Sequence, residues 1–314
     1  MSAESKAFIR KVCQDYGSDR TRLMDIVHCI QERERHVSLE AMELLAGELQ
    51  MEAVEVRSMV SFYGFFSETP QGKIVIRVCN DVVDLMQGGA AVSRSFESAL
   101  GIRVGQTTAD GQFTLQHTPC IGMCDQAPAV LVNHVVCTRL KPSQVPKIVE
   151  TLKQTGDPQS LVTRLGAGNN GHELVRAMVE NSIRRQGKVL LAPRDAEAGL
   201  RKALEMDPEA VIRTVTDARL RGRGGAGFPT GMKWNFTRQA DGERKFLICN
   251  ADEGEPGTFK DRVLLTEKFD LLCEGMAVGA YAIGAAEGII YLRAEYAYLK
   301  AFLKSILAQR RRAG

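Results

Sequence analysis

The residues most able to do chemistry lie between Arg221 and Gly257. Gly222, Gly224, Gly225 and Gly227 stand between Arg221, Arg223 and Lys233, and Phe228, Trp234 and Phe236 follow. Glycine lets backbone N–H groups and flat rings come close, because no Cβ is in the way. Arginine and lysine suit phosphate. Shortly after comes the acidic run Asn250-Ala251-Asp252-Glu253-Gly254-Glu255-Pro256-Gly257, whose carboxylates suit sugar hydroxyls. Phosphate, ring and sugar recognition in one stretch asks for a nucleotide cofactor.

Gly222, Gly224 and Gly227 satisfy the G-x-G-x-x-G pattern, but the context of a dinucleotide fingerprint is absent. That fingerprint needs a strand before it and a helix directly after. Here Asp207 to Leu220 reads as a helix, with Val211, Ile212, Val215 and Leu220 roughly on one face. Phe228-Pro229-Thr230-Gly231 is expected to continue no helix. A P-loop also fails, since Lys233 is neither preceded directly by Gly nor followed by Ser or Thr. The pattern alone leaves a bare glycine turn open. Phe228 and Phe236 read equally as core residues, and Asp252, Glu253 and Glu255 as a solvated turn before Pro256.

Cys79, Cys120 and Cys124 form a second constellation. Eight cysteines without a secretory leader point to metal or cluster binding before disulfides. Two-iron clusters want four ligands, usually thiolates. The C-x-x-C spacing of thioredoxin-type redox pairs is absent. Zinc competes, with His117 or His134 as a fourth ligand. From spacing alone, cluster, zinc and no metal stand level. Cys13 and Cys29 read as small core residues.

The elements that must position these groups follow from periodicity. Residues 1–65 read as a helical region, with Ser18 or Asp19, and Ser38, as N-caps. Lys73 to Cys79 reads as a strand delivering Cys79 at its end. Asp110-Gly111 marks a turn before a strand from Phe113 to His117. Val130 to Val132 and Val135 to Thr138 form a hairpin about Asn133-His134, and Val145 to Lys153 a closing helix. This mixture over 66–155 suits a small thioredoxin-like sheet. A polar, glycine-rich linker over 156–171 leads to a second domain over 172–314. There, helices are expected from Phe269 to Ile283 and Tyr296 to Leu307, with a strand from Gly288 to Arg293 between them.

The whole is an α/β (α+β) chain of 314 residues, long enough for two or three domains. A net charge of +3 gives no nucleic-acid footprint. No apolar run approaches a membrane span, and the N-terminus lacks a signal core, so a cytoplasmic location is expected.

The longer strings carry a resemblance. Arg221 to Trp234, Phe246 to Arg262, Glu274-Gly275-Met276 and Tyr291 to Tyr296 resemble the NADH-oxidising flavoprotein subunits of respiratory complex I and its relatives, over about Gly171 to the end. The resemblance implies the first part of a Rossmann-like FMN domain, with NAD(H) stacked on FMN. It implies flavin contacts from Gly222, Gly224, Gly225, Gly227, Lys233, Asn250, Asp252 and Glu253. Phe228 and Phe236 would stack on the NADH adenine, and Glu255 would reach the dinucleotide as the catalytic positioning residue for nicotinamide. Residues 15–155 resemble the thioredoxin-like ferredoxin subunit of complex I through Val60 to Tyr63, Gly111 to Leu115 and Cys120 to Pro128. That family holds a [2Fe-2S] cluster with C-x4-C plus C-x3-C. Here Cys79, Cys120 and Cys124 match, and Asp84 stands where the fourth cysteine belongs. The resemblance implies either Asp84 as a harder fourth ligand or a vestigial site.

The fused order resembles the flavoprotein (diaphorase alpha) subunit of cytoplasmic NAD-reducing nickel–iron hydrogenases. NAD-dependent formate dehydrogenases and complex I are its rivals. The implied partners are an iron–sulfur small diaphorase subunit and hydrogenase subunits in a hetero-oligomer, with no nucleic acid. The family's second glycine-rich segment and its [4Fe-4S] motif are absent from these residues. The chain is therefore expected to be a truncated product or fragment with half a flavin pocket and exposed apolar surface, and a non-catalytic assembly or electron-relay module is a further alternative.

Overall fold

The computed structural model describes residues 1–163, 175, 179–193, 195 and 197–313; the expected linker lies outside the described residues from 164 onward. The chain divides into two compact units, Met1–Ile121 with Gln126–Leu161, and Gly122–Asp125 with Val162–Gly314.

The first unit begins with helices α1 (Ala3–Asp15), α2 (Leu23–Glu34), α3 (Leu39–Leu49) and α4 (Ala53–Phe62). Their starts are written in the sequence. Ser2 accepts from Ser5 N, Ser38 accepts from Ala41 N, and Glu52 with Glu55 forms a capping box. The apolar faces close on one core, in which Ile9, Ile26, Ile30, Leu45 and Val56 are fully buried. Each such side chain contributes roughly 1.5–3 kcal/mol.

A four-stranded sheet follows, in the order β2-β1-β3-β4, from β1 (Ile74–Cys79), β2 (Phe113–Thr118), β3 (Val130–Val132) and β4 (Val135–Cys137). All of β1 is buried, as a central strand should be. It runs parallel to β2, with Cys79 opposite Thr118, and antiparallel to β3. The parallel pair is joined by α5 (Val82–Met86) and α6 (Gly89–Leu100), and α7 (Val145–Thr155) closes the unit. Helices α5 and α6 are not anticipated by the sequence reading. The inner face of α6 carries Gly89, Val92, Ser93, Phe96 and Leu100 at helical spacing, so the helix is amphipathic.

The second unit holds α8 (Ala198–Leu204), α9 (Pro208–Asp217), α10 (Thr230–Gln239), β5 (Phe246–Ala251), α11 (Lys260–Glu267), α12 (Phe269–Ile283), β6 (Glu287–Leu292) and α13 (Lys300–Ala313). Strands β5 and β6 pair in parallel, Phe246 opposite Glu287 through Ala251 opposite Leu292. The helix expected over Asp207 to Leu220 is α9. One expectation is overturned: a helix does start at Thr230. Pro229 takes the extended N-cap position, where its missing N–H costs nothing, so it begins α10 rather than breaking it. The close crossing of α9 and α10 requires Gly231, since a Cβ there would overlap the Thr216 hydroxyl. The helix expected from Tyr296 opens as a tight 3-10 turn, Ala294–Leu299, before α13. Among the described residues no helix is long and apolar enough to cross a membrane.

Candidate functional site

The glycine loop is tied at its base and open at its tip. Gly222 N donates to Phe228 O at 2.9 Å, Thr230 N donates to Leu220 O at 2.9 Å, and Arg221 Nη1 donates to Gly227 O at 3.2 Å. Between these ties the backbone turns through Gly225, at φ +109°, which an L side chain rarely adopts. A Cβ at Gly224, Gly225 or Gly227 would meet no protein atom within 4 Å. The tip therefore has glycine for its backbone path and open space beyond it, which fits a ligand lying against the main chain.

Lys233 and Phe236 are both exposed and sit three residues apart on α10, so they share one face immediately after the loop. Phe228 is also exposed, at 46%, and Phe236 at 58%. Neither packs in a core, which removes the core reading of both aromatics. Exposed apolar side chains also cover one face of the short sheet, Phe246 and Ile248 on β5 and Ile289 and Tyr291 on β6. Asn250 ends β5 on that face and accepts from Asp252 N at 3.0 Å, which turns the chain outward. Asp252 and Glu255 are exposed.

Glu253 is different. It is 2% exposed. Its carboxylate accepts from Asp261 N at 2.7 Å, Arg262 N at 3.2 Å and the Tyr296 hydroxyl at 2.8 Å. Arg293 donates to its carbonyl oxygen. A carboxylate on the first amides of α11 satisfies donors the helix cannot, and sits at the positive end of its dipole. Burial, with the neighbouring Tyr298 phenol and the Glu253 carboxylate, pushes the Tyr296 phenol far above its ordinary range, so it stays a donor. The resemblance groups Glu253 with the flavin contacts; in this geometry its side chain is engaged by three protein donors and shapes the acidic run from within.

Arg262, fully buried, forms a second fixed point. It donates to both Asp125 oxygens, at 2.9 and 2.8 Å, and to Gly122 O at 2.8 Å. Burial opposes its charge, and the Asp125 carboxylate together with the neighbouring Tyr298 and Tyr296 more than offsets that, so the guanidinium stays protonated.

Cys79 Sγ donates to Asp84 Oδ2 at 3.0 Å, and Asp84 Oδ1 accepts from Ala129 N at 2.7 Å. Asp84 is 1% exposed. Burial raises its pKa, and burial with Asp84 raises that of Cys79. Within the first unit, ligating atoms of Asp81 and Cys120 lie within 4.8 Å of one another. His117 Nε2 lies 2.9 Å from the Ser93 hydroxyl, and among the described residues neither it nor His134 joins this group.

Residues 9–153 match the thioredoxin-like [2Fe-2S] ferredoxin family, and residues 215–314 match the Nuo51 FMN-binding domain. The two matches follow one another along the chain, the first over Cys79, Cys120 and Cys124 and the second over the glycine loop and the acidic run. The chain is 45% identical over 98% of its length to the alpha subunit of the NAD-reducing hydrogenase HoxS of Cupriavidus necator. It spans 51% of that relative's length. A crystal structure of an NAD+-reducing [NiFe]-hydrogenase in the H2-reduced state superposes with a TM-score of 0.78 at 38% identity, over 92% of this chain and 48% of that one. An NADH-quinone oxidoreductase subunit of Aquifex aeolicus is 59% identical, but over only 31% of this chain and 22% of its own.

Sequence reasoning missed the place of Asp81 beside Cys120, at the N-cap position of a short helix. In the FMN-binding module it missed Arg262 and Tyr296, whose partners lie far off in sequence.

Proposed function

We propose that this chain is the NADH-oxidising flavin module of an NAD-reducing hydrogenase, acting as its diaphorase. The observation that carries the reading is the fused order: similarity to the hydrogenase alpha subunit runs through both modules, whereas the NADH-quinone oxidoreductase relative aligns over only about a third of the chain.

FMN, when bound, exchanges a hydride with NAD(H) and passes electrons singly to iron–sulfur centres. The chain's residues bind and orient. The amides of Gly222, Gly224, Gly225 and Gly227 approach the flavin or its phosphate without a Cβ between, and Lys233 places a point charge beside them. Asn250 and Asp252, turned outward at the end of β5, take the ribityl hydroxyls. Glu253 keeps that turn in shape through its buried carboxylate. Phe228 and Phe236 offer open ring faces for the adenine. Glu255, exposed on the same turn, positions the nicotinamide. No side chain is needed as a nucleophile.

In the ferredoxin module Cys79, Cys120 and Cys124 supply thiolates for a [2Fe-2S] centre, with a carboxylate completing the set. The partners are an iron–sulfur small diaphorase subunit and the hydrogenase subunits, in the cytoplasm. The test is purification of the native complex through a tag on this chain. Hydrogen-dependent NAD reduction supports the reading. Formate-dependent reduction transfers the chain to the formate dehydrogenase alternative, and a complex without flavin reduces it to an electron-relay or assembly module.

A further inference from the structure

Inside the second unit, which includes the short segment Gly122–Asp125, the Glu253 carboxylate is held from two directions. From α11 come the backbone N–H groups of Asp261 and Arg262, on Oε1 and Oε2. From the 3-10 turn Ala294–Leu299 comes the Tyr296 hydroxyl, which donates to Oε2 at 2.8 Å. Arg293, at the N-cap of the same turn, donates to the Glu253 carbonyl oxygen. The two amides go where their helix goes. The hydroxyl stands at the end of a long side chain, so its place depends on what packs around the ring.

Tyr296 is fully buried, and Gly122 bounds it on one side. A Cβ on Gly122 would overlap the Tyr296 hydroxyl and stand 2.7 Å from two carbons of its ring. That is too close for unbonded heavy atoms. Gly122 also has φ +72°, where glycine alone is unstrained. The segment is anchored in turn. Gly122 O accepts from Arg262 Nη1 at 2.8 Å, and both Asp125 oxygens accept from the same guanidinium. Arg262 therefore works at both ends: its N–H lies on Glu253, and its guanidinium holds the segment that confines Tyr296.

We infer that Tyr296 is a positioning residue of the flavin site, with Gly122 as the contact that fixes it. The Tyr296 hydroxyl holds the Glu253 carboxylate, and through it the turn that presents Asn250 and Asp252. Both residues act through Glu253. Gly122 lies outside the matched FMN-binding stretch, residues 215–314, so that stretch depends on a residue far upstream in the chain. The inference rests on the flavin reading proposed above and adds to it the residues that keep the turn in place.

The experiment titrates FMN into a flavin-depleted native preparation carrying this chain. Folding is followed by circular dichroism and thermal unfolding. The wild type is expected to take up FMN. Tyr296→Phe keeps the ring and removes the hydroxyl. It should keep its circular dichroism and bind FMN about tenfold more weakly, the size of one hydrogen bond to a charged group. Gly122→Ala should displace the ring and show a similar loss. Gly122→Ala combined with Tyr296→Phe should bind no more weakly than Gly122→Ala alone, because the hydroxyl is already gone. Where Gly122→Ala does not fold, Tyr296→Phe decides the inference by itself. Wild-type FMN affinity in folded Tyr296→Phe overturns the inference alone, even with a lowered unfolding midpoint, since that is a purely structural role. Losses that add in the double variant overturn the part given to Gly122. A wild-type preparation that takes up no FMN overturns the flavin reading and the inference with it.

Discussion

Arg262 and Asp125 stand 137 residues apart in the chain and meet as a two-pronged ion pair, at 2.9 and 2.8 Å. The arginine is fully buried and the Asp125 side chain only 15% exposed. Removing one partner of such a pair leaves an uncompensated charge and costs about 3–5 kcal/mol, whereas replacing both costs much less. Arg262→Met should therefore lower stability toward the lower end of that range, because Asp125 keeps some water. Arg262→Met with Asp125→Leu should recover part of the loss. Urea unfolding of the single and double variants checks both, and a double variant as unstable as the sum of the singles would show that the two residues do not act as a pair.

Gly225 is held at φ +109° with open space where a Cβ would go. Gly225→Ala meets no steric clash, but holding this backbone conformation would cost it about 1–3 kcal/mol. The loop tip should relax to escape that cost, so FMN affinity should fall while the unfolding midpoint changes little. Fluorescence titration with FMN beside thermal unfolding separates the two. Equal FMN affinity in the variant would remove the loop from the flavin site.

Phe228 and Phe236 are exposed and take part in no core. Ring stacking is worth about 0.5–1.5 kcal/mol per pair, or about two- to tenfold in affinity. Replacing either by Ala should weaken NADH binding by about that factor and leave FMN content unchanged. Steady-state kinetics with an artificial electron acceptor would read it as a rise in KM with kcat held.

Much of the fold can be read from the sequence because its signals are local. The hairpin at Asn133, the capped helix behind Ser38, and strand β1 follow from a turn, a cap and an apolar run, each within a few residues. Helix α6 is legible as well, from Val92, Phe96 and Leu100 at helical spacing, although the sequence analysis does not place it. The start at Thr230 escapes because a proline announces either an end or a beginning, and only the packing of Gly231 on Thr216 distinguishes them. In the site, the glycine loop is legible as an open turn that leaves its main chain uncovered. The burial of Glu253 was not, since its three donors come from Asp261, Arg262 and Tyr296. Asp81 and Asp84 are indistinguishable by type, and only their neighbours tell them apart.

The turn before β2 gives a pH-dependent prediction. Asp110 accepts from the Thr108 hydroxyl and the Gln112 N–H, which hold its carboxyl below the ordinary value of 3.8. A depressed folded pKa means the folded state favours the ionised form. The stabilisation is present above pH 3.8 and is lost as pH falls through the folded value. Asp110→Asn should lack that contribution and show a shallower loss of stability in acid. Urea unfolding at several acidic pH values measures the slope, and identical slopes for the two proteins would exclude the role.

The proposed flavin site, built from the loop between Arg221 and Trp234 and the run from Asn250 to Gly257, is tested by adding NADH anaerobically to the native preparation carrying this chain. Flavin absorbance is followed and FMN is quantified. Bound FMN that NADH bleaches is expected, with FMN content reduced in Lys233→Ala and Asp252→Ala. A preparation without FMN, or one whose flavin stays oxidised under NADH, would contradict the assignment.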